Sequence, residues 1–123
     1  LKTFDCVIAN PPFSLKKWGY DVWKDDPYGR TFAGVPPESY GDFAWVQHMI
    51  SSMNEKNGRV GVVLPSGALF RSSEKSIRKK IISDLDYLVA VIQMAENLFY
   101  GTSIAPCILV FRKTKEKLKK TMF

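Results

Sequence analysis

The sequence predicts an α/β fold with about three parallel strands, an antiparallel last strand and two helices. Three observations carry this. Apolar runs of strand length recur along the chain and stop at proline or polar residues. Segments with a helical apolar period separate the first three runs, which requires right-handed parallel crossovers. No helical segment separates the last two runs, so those strands are expected to pair antiparallel.

The first run, Phe4-Asp5-Cys6-Val7-Ile8, stops at Asn10-Pro11-Pro12. Two prolines cannot continue a central strand, so the chain leaves the sheet there. Residues 14–40 show no clear period and hold Trp18, Tyr20, Trp23, Tyr28, Phe32 and Tyr40 among Gly, Pro, Asp and Lys. An irregular segment of this length inside a domain is a lid, a binding loop or a mobile stretch. Its aromatic residues have two readings, self-packing of the loop or contact with a ligand.

Asp42 is read as the cap of a helix running to about Asn54, with Asn57-Gly58 as its stop. Phe43, Val46, Met49, Ile50 and Met53 recur at i, i+3 and i+4 and form one apolar stripe. Val60-Gly61-Val62-Val63-Leu64, ended by Pro65, is the second strand. Ser72 or Ser73 is expected to cap the second helix, with Glu74 in its first turn, where the helix dipole favours an acid. Ile77, Ile81 and Leu85 are assigned to the core; Lys75, Arg78 and Lys79 are assigned to solvent. Tyr87 to Ile92 is the third strand and Ala105 to Phe111 the fourth. No repeat or internal boundary is visible. Residues 1–112 read as one unit and 113–123 as a basic tail.

Composition excludes several classes. The chain has 123 residues, 46% of them hydrophobic, and a net charge of +6. That is too apolar for a disordered protein. Its apolar runs are shorter than the ~20 residues a membrane-spanning helix needs, and no signal-peptide pattern is present. Two cysteines make no disulfide framework, so the expected compartment is the cytoplasm. The positive charge suggests an acidic partner, yet it is a local property. Residues 112–120 hold six basic residues and one acidic residue, while the other 114 hold 12 and 11. This block reads first as a solvated terminus and second as a phosphate contact.

In an open parallel sheet, ligands bind outside the carboxyl ends of the strands. Asn10 to Phe13, Pro65 to Gly67 and Gln93 to Thr102 all fall there. The first stretch is the most informative. Consecutive prolines give a stiff backbone whose carbonyls face no competing N–H. The Asn side chain offers an acceptor and two donors, and Phe13 adds a flat apolar face. This combination suits a planar group bearing an amino nitrogen. Physics alone also allows a turn-forming Asn followed by a core Phe.

At these residues the sequence resembles the amino-methyltransferases, whose signature is Asp/Asn/Ser-Pro-Pro-Tyr/Phe after the fourth strand of a Rossmann-like sheet. Further blocks resemble the modification (M) subunit of type I restriction–modification systems. These are Asp42-Phe43-Ala44-Trp45-Val46-Gln47-His48-Met49, the stretch Gly58 to Arg71, and Asn97-Leu98-Phe99-Tyr100-Gly101-Thr102-Ser103-Ile104-Ala105-Pro106, continuing to Phe111. The similarity covers nearly residues 1–112.

The resemblance implies an N6-adenine DNA methyltransferase subunit with a partial Rossmann-like S-adenosylmethionine-dependent sheet. It implies transfer of a methyl group from S-adenosylmethionine to an adenine flipped out of duplex DNA. Asn10 and the Pro11 carbonyl are then the acceptors for the target amino group, with Pro12 stiffening the loop and Phe13 stacking on the base. Asn10 also borders the cofactor. Phe99 or Tyr100 forms a second aromatic wall, Phe99 being preferred. No metal is implied. The sole histidine, His48, lies mid-helix and is assigned a surface or packing role. Cys6 and Cys107 are expected on strands separated by another strand, hence without a disulfide. Implied partners are duplex DNA and the specificity (S) and restriction (R) subunits, with no membrane.

The family's Gly-rich loop after its first strand and its acidic residue after the second have no counterpart here. The chain therefore resembles the C-terminal half of the catalytic domain, expected to be inactive alone and to expose a sheet edge open to self-association. Two alternatives stay open. One is a methyltransferase acting on protein glutamine or RNA; the other is a non-catalytic remnant serving as a binding module.

Overall fold

The computed structural model describes residues 1–114 and 121–123. Four strands form one sheet: β1 (Cys6–Ala9), β2 (Arg59–Pro65), β3 (Leu88–Gln93) and β4 (Pro106–Phe111). The order is β1-β2-β4-β3. β1 and β2 are parallel, and β4 runs antiparallel to both β2 and β3. The first three strands therefore point the same way, as the apolar runs and the helix between each pair require. The last strand inserts between β2 and β3. β2 also lies between β1 and β4, which separates Cys6 from Cys107.

The helices are α1 (Tyr20–Trp23), α2 (Asp42–Ser51) and α3 (Lys75–Lys79). The stripe on α2 and the turn that follows it is the centre of the core. Phe43, Val46, Met49, Ile50 and Met53 are all buried, against Val60, Val62 and Leu64 of β2 and Leu109 and Phe111 of β4. Each such side chain contributes roughly 1.5–3 kcal/mol on burial. Ile77 and Ile81 close the core from the third helical segment, while Leu85 is only half-buried.

Strand register makes the two sheet faces different. The rows Val7-Val60-Phe111-Leu88 and Ala9-Val62-Leu109-Val91 face the helices. The rows Ile8-Gly61-Val110-Ala90 and Val63-Ile108-Ile92 lie on the opposite face, where each residue is half-buried or exposed. At the outer edge of β3, Met122 bridges Ala90. Lys113 and Thr114 hydrogen-bond the carbonyls of Met53 and Glu55. The rest of the basic block, residues 115–120, lies outside the described residues.

Several local readings need correction. α2 ends at Ser51 rather than near Asn54, and its N-cap is Gly41. Asp42 caps nothing on its own helix; its carboxylate is fully buried and points to other segments. Gly58 sits in the turn after the helix, where a Cβ would fall 2.2 Å from the Asn54 carbonyl oxygen. The expected single helix from Ser72 to Leu85 is a 3-10 turn (Ser72–Glu74), α3 and a π-helical turn (Lys80–Asp84) in succession. Neither Ser72 nor Ser73 caps it, and Glu74 is buried. Arg78 is half-buried and donates to the Ala68 carbonyl at 3.2 Å.

Both cysteines are free, Cys6 exposed and Cys107 buried. Burial pushes the Cys107 thiol up to about 11, with a smaller contribution from Asp42. At neutral pH that leaves almost no thiolate, the reactive form. A thiol reagent is therefore expected to label one cysteine in native protein, Cys6 by peptide mapping, and both in denaturant.

Candidate active site

The site lies at the carboxyl edge of the sheet, where β1 ends one residue before Asn10. Asn10 is exposed, and its side-chain amide has no protein partner among the described residues. The Pro11 carbonyl likewise accepts no hydrogen bond among them. Of the two, the Asn10 side chain is exposed, while Pro11 is buried and meets the cleft as one of its lining residues.

The second wall comes from the loop between β3 and β4. Asn97 (φ 56) and Gly101 (φ 81) both occupy the left-handed region and bracket Phe99 and Tyr100. Asn tolerates this conformation better than most residues, and Gly adopts it freely. The two kinks bring Phe99 onto Phe13, with ring centroids 5.9 Å apart and planes at 76°. Tyr100 points into solvent. Asn10, Pro11, Pro12 and Phe13 line an open cleft of about 620 Å³ together with Phe99, Tyr100, Thr102 and Ile104. The structure thus brings the two aromatic walls together. They meet edge to face, so a base cannot lie sandwiched between them in this arrangement.

The β2 loop is tied to the same edge. Ser66 N–H donates to the Ala105 carbonyl at 3.1 Å, and Gln93 Nε2 donates to Ser66 Oγ at 3.3 Å. Arg71, at the end of this loop, reaches back to the first. It pairs with Asp42 at 2.5 Å and with Glu74 at 2.7 Å, and lies 3.9 Å over the Tyr40 ring. Burial alone would lower the Arg71 pKa; hydrogen bonds to Glu74 and Asp42 reverse this and leave it above its ordinary value. Sequence reading missed this cluster. The spacing of Arg71 and Glu74 was the available signal, since residues three apart on a helical turn face each other.

Residues 14–40 fold onto α2 largely through their own side chains. Trp18 packs edge to face on Tyr20 and Trp23, and its indole N–H donates to the Pro37 carbonyl at 3.1 Å. Arg30 stacks over Trp23 and Tyr28 and pairs with Asp26. That hydrogen bond holds the Asp26 carboxyl below its usual range. Gln47, buried on α2, accepts from Ala33 N–H at 2.9 Å and donates to the Gly34 carbonyl at 2.8 Å. These contacts favour the self-packing reading of the loop. His48 Nδ1 lies 3.3 Å from an Arg30 nitrogen. Burial, then the Arg30 charge, lowers the His48 pKa, which favours the neutral imidazole.

The fold is part of a Rossmann-like methyltransferase sheet. The chain belongs to the N-6 DNA methylase family, whose profile matches residues 1–123. The type I restriction enzyme MjaVII methylase subunit of Methanocaldococcus jannaschii is 41% identical, over 94% of this chain and 21% of that protein. The HindI methylase subunit of Haemophilus influenzae is 33% identical, over 99% and 27%. The structure of the type I restriction-modification methyltransferase subunit from Streptococcus thermophilus matches with a TM-score of 0.82 and 34% identity, over 94% of this chain and 24% of that one. A Listeria monocytogenes structure, provisionally assigned as a class I S-adenosylmethionine-dependent methyltransferase, shares the fold at a TM-score of 0.72 and 17% identity, over 99% and 36%. The chain spans about a fifth to a quarter of the curated relatives it matches. Among the described residues, no helix is long and apolar enough to cross a membrane.

Proposed function

We propose that this chain forms the target-base half of an N6-adenine DNA methyltransferase subunit of a type I restriction–modification system. The observation that carries the reading is the single cleft lined by Asn10, Pro11, Phe13 and Phe99. It sets the exposed Asn10 side chain and the unpaired carbonyl of the buried Pro11 beside an aromatic plate, which matches the amino edge and flat face of adenine. The names of the relatives support DNA over protein glutamine or RNA as the substrate.

The chemistry follows from positioning. The adenine N6 lone pair is delocalised into the ring and is a weak nucleophile. Hydrogen bonds from both N6 hydrogens, to Asn10 Oδ1 and the Pro11 carbonyl, favour a pyramidal nitrogen with its lone pair free. Preorganised acceptors act here as electrostatic catalysts. A strong general base is not required. Extruding the base costs a few kcal/mol; stacking on Phe13 returns about 1–3 kcal/mol. The base takes the free face of Phe13, or the contact between Phe13 and Phe99 opens to admit it.

S-adenosylmethionine supplies an electrophilic methyl on a sulfonium. The residues lining the cleft fit the base and not the whole cofactor, because none is a carboxylate able to hold ribose hydroxyls. Asn10 is assigned a place beside the methyl donor. We assign the rest of the cofactor site, the S and R subunit contacts and most DNA contacts to sequence outside residues 1–123. The bare sheet face with its two apolar rows supports this, since such a surface is normally covered. The outer edge of β1 is the matching place for further strands and, uncovered, invites pairing with a second copy. The 1–123 fragment by itself is expected to bind S-adenosylmethionine weakly or not at all in a calorimetric titration. Low-micromolar binding would overturn the assignment.

A further inference from the structure

We propose that Asp42 and Arg71 are positioning residues that hold the acceptor loop Asn10–Phe13 by fixing the backbone of Ser14. The inference rests on the base-binding reading above. Ser14 follows Phe13 directly and has φ 49, in the left-handed region that disfavours residues other than Gly, Asn and Asp. Such a conformation persists only where the surroundings impose it. Three contacts do so. Asp42 Oδ1 accepts the Ser14 N–H at 2.8 Å. Arg71 Nη1 donates to Ser14 Oγ at 3.4 Å. Gly41 N–H donates to the Leu15 carbonyl at 3.0 Å.

The support behind these contacts is itself rigid. Asp42 and Glu74 are both 0% exposed and share one guanidinium, Arg71 Nη2 bonding both while Nε completes the pair with Glu74. A buried ionic cluster is a poor source of net stability against apolar packing of the same volume. Its planar, forked geometry instead fixes direction. Arg71 closes the loop that follows β2, and Asp42 opens α2. The cluster thus locks the exits of β1 and β2 to one helix. Turning Ser14 out of its conformation would rotate the Phe13 plate and shift the two acceptors.

The test compares variants of the full-length protein. Asp42→Asn is expected to lower kcat for methyl transfer on the order of tenfold or more, as misplacement of reacting groups does. The KM for DNA should change less than about twofold, since phosphate contacts dominate affinity. Adding Ser14→Gly, which adopts positive φ freely, should recover most of that kcat, a rescue that loss of general packing would not show. Unchanged kcat in Asp42→Asn, or no rescue by Ser14→Gly, overturns the proposal. Should Asp42→Asn fail to fold, Ser14→Val decides. Its β-branch opposes positive φ, so a tenfold loss in protein that melts normally supports the role, and wild-type kcat overturns it. Asn10→Ala is run in parallel. If it keeps wild-type transfer, the reading of the cleft has failed rather than the clamp. Hydrogen exchange at the Ser14 amide then decides alone: about tenfold faster exchange in Asp42→Asn, or in Ser14→Val where that variant replaces it, supports the clamp, and unchanged exchange overturns it.

Discussion

Replacing Asn10 by alanine in the full-length protein is expected to cut methyl transfer on the order of 10²–10³-fold, the usual effect of removing one preorganised electrostatic partner of a transition state. The substitution deletes the open side-chain acceptor at the end of β1 and leaves the stiff Pro11-Pro12 backbone in place. Because Asn10 is exposed and outside the core, melting should hardly move. DNA affinity should stay within about twofold, since it rests mainly on phosphate contacts. Asn10→Asp keeps an acceptor oxygen and is expected to retain measurable transfer. Radiolabelled methyl incorporation at saturating DNA is the decisive measurement. A wild-type rate in Asn10→Ala would remove this residue from the mechanism.

Phe13→Ala is expected to act at an earlier step. In the proposed role it removes the plate for the flipped base, a contact worth about 1–3 kcal/mol, or roughly 5- to 150-fold in base capture. It also breaks the edge-to-face contact with Phe99. With 2-aminopurine at the target position, the fluorescence rise that reports unstacking should shrink or vanish, while overall DNA binding persists. Phe13→Tyr keeps a ring of the same shape and should behave close to wild type. An undiminished response in Phe13→Ala would show that the base stacks elsewhere, with the exposed Tyr100 the next residue to substitute.

Much of the architecture was legible because its signals are local and apolar. Strand ends are marked by Asn10-Pro11-Pro12 and Pro65, and the stripe of α2 and its following turn places five apolar residues at helical spacing. The antiparallel last strand follows from the missing helix before it. The polar interior was less legible. Asp42 and Glu74 both stand near helix starts, where an acid normally faces solvent and complements the dipole. That they are buried depends on Arg71, 29 residues from Asp42 in sequence, and no periodicity reports such a pairing. The segment 72–84 was misread for a related reason. Side-chain spacing of three to four residues does not separate 3-10, α and π hydrogen bonding, which here follow one another. In the candidate site the residues themselves were readable and their arrangement was not. The Phe13 and Phe99 rings touch because Asn97 and Gly101 turn the backbone, a conformation that residue type permits but does not dictate.

The position of β4 has a consequence in time. β2 and β3 share no hydrogen bonds; each pairs with β4, which comes last in sequence. Until residues 106–111 leave the ribosome, the sheet exists as two halves with unpaired edges, each displaying valine and isoleucine. Joining them closes contacts between distant parts of the chain, an intrinsically slow kind of step. A pause in translation shortly before this strand would prolong the most aggregation-prone stage of folding.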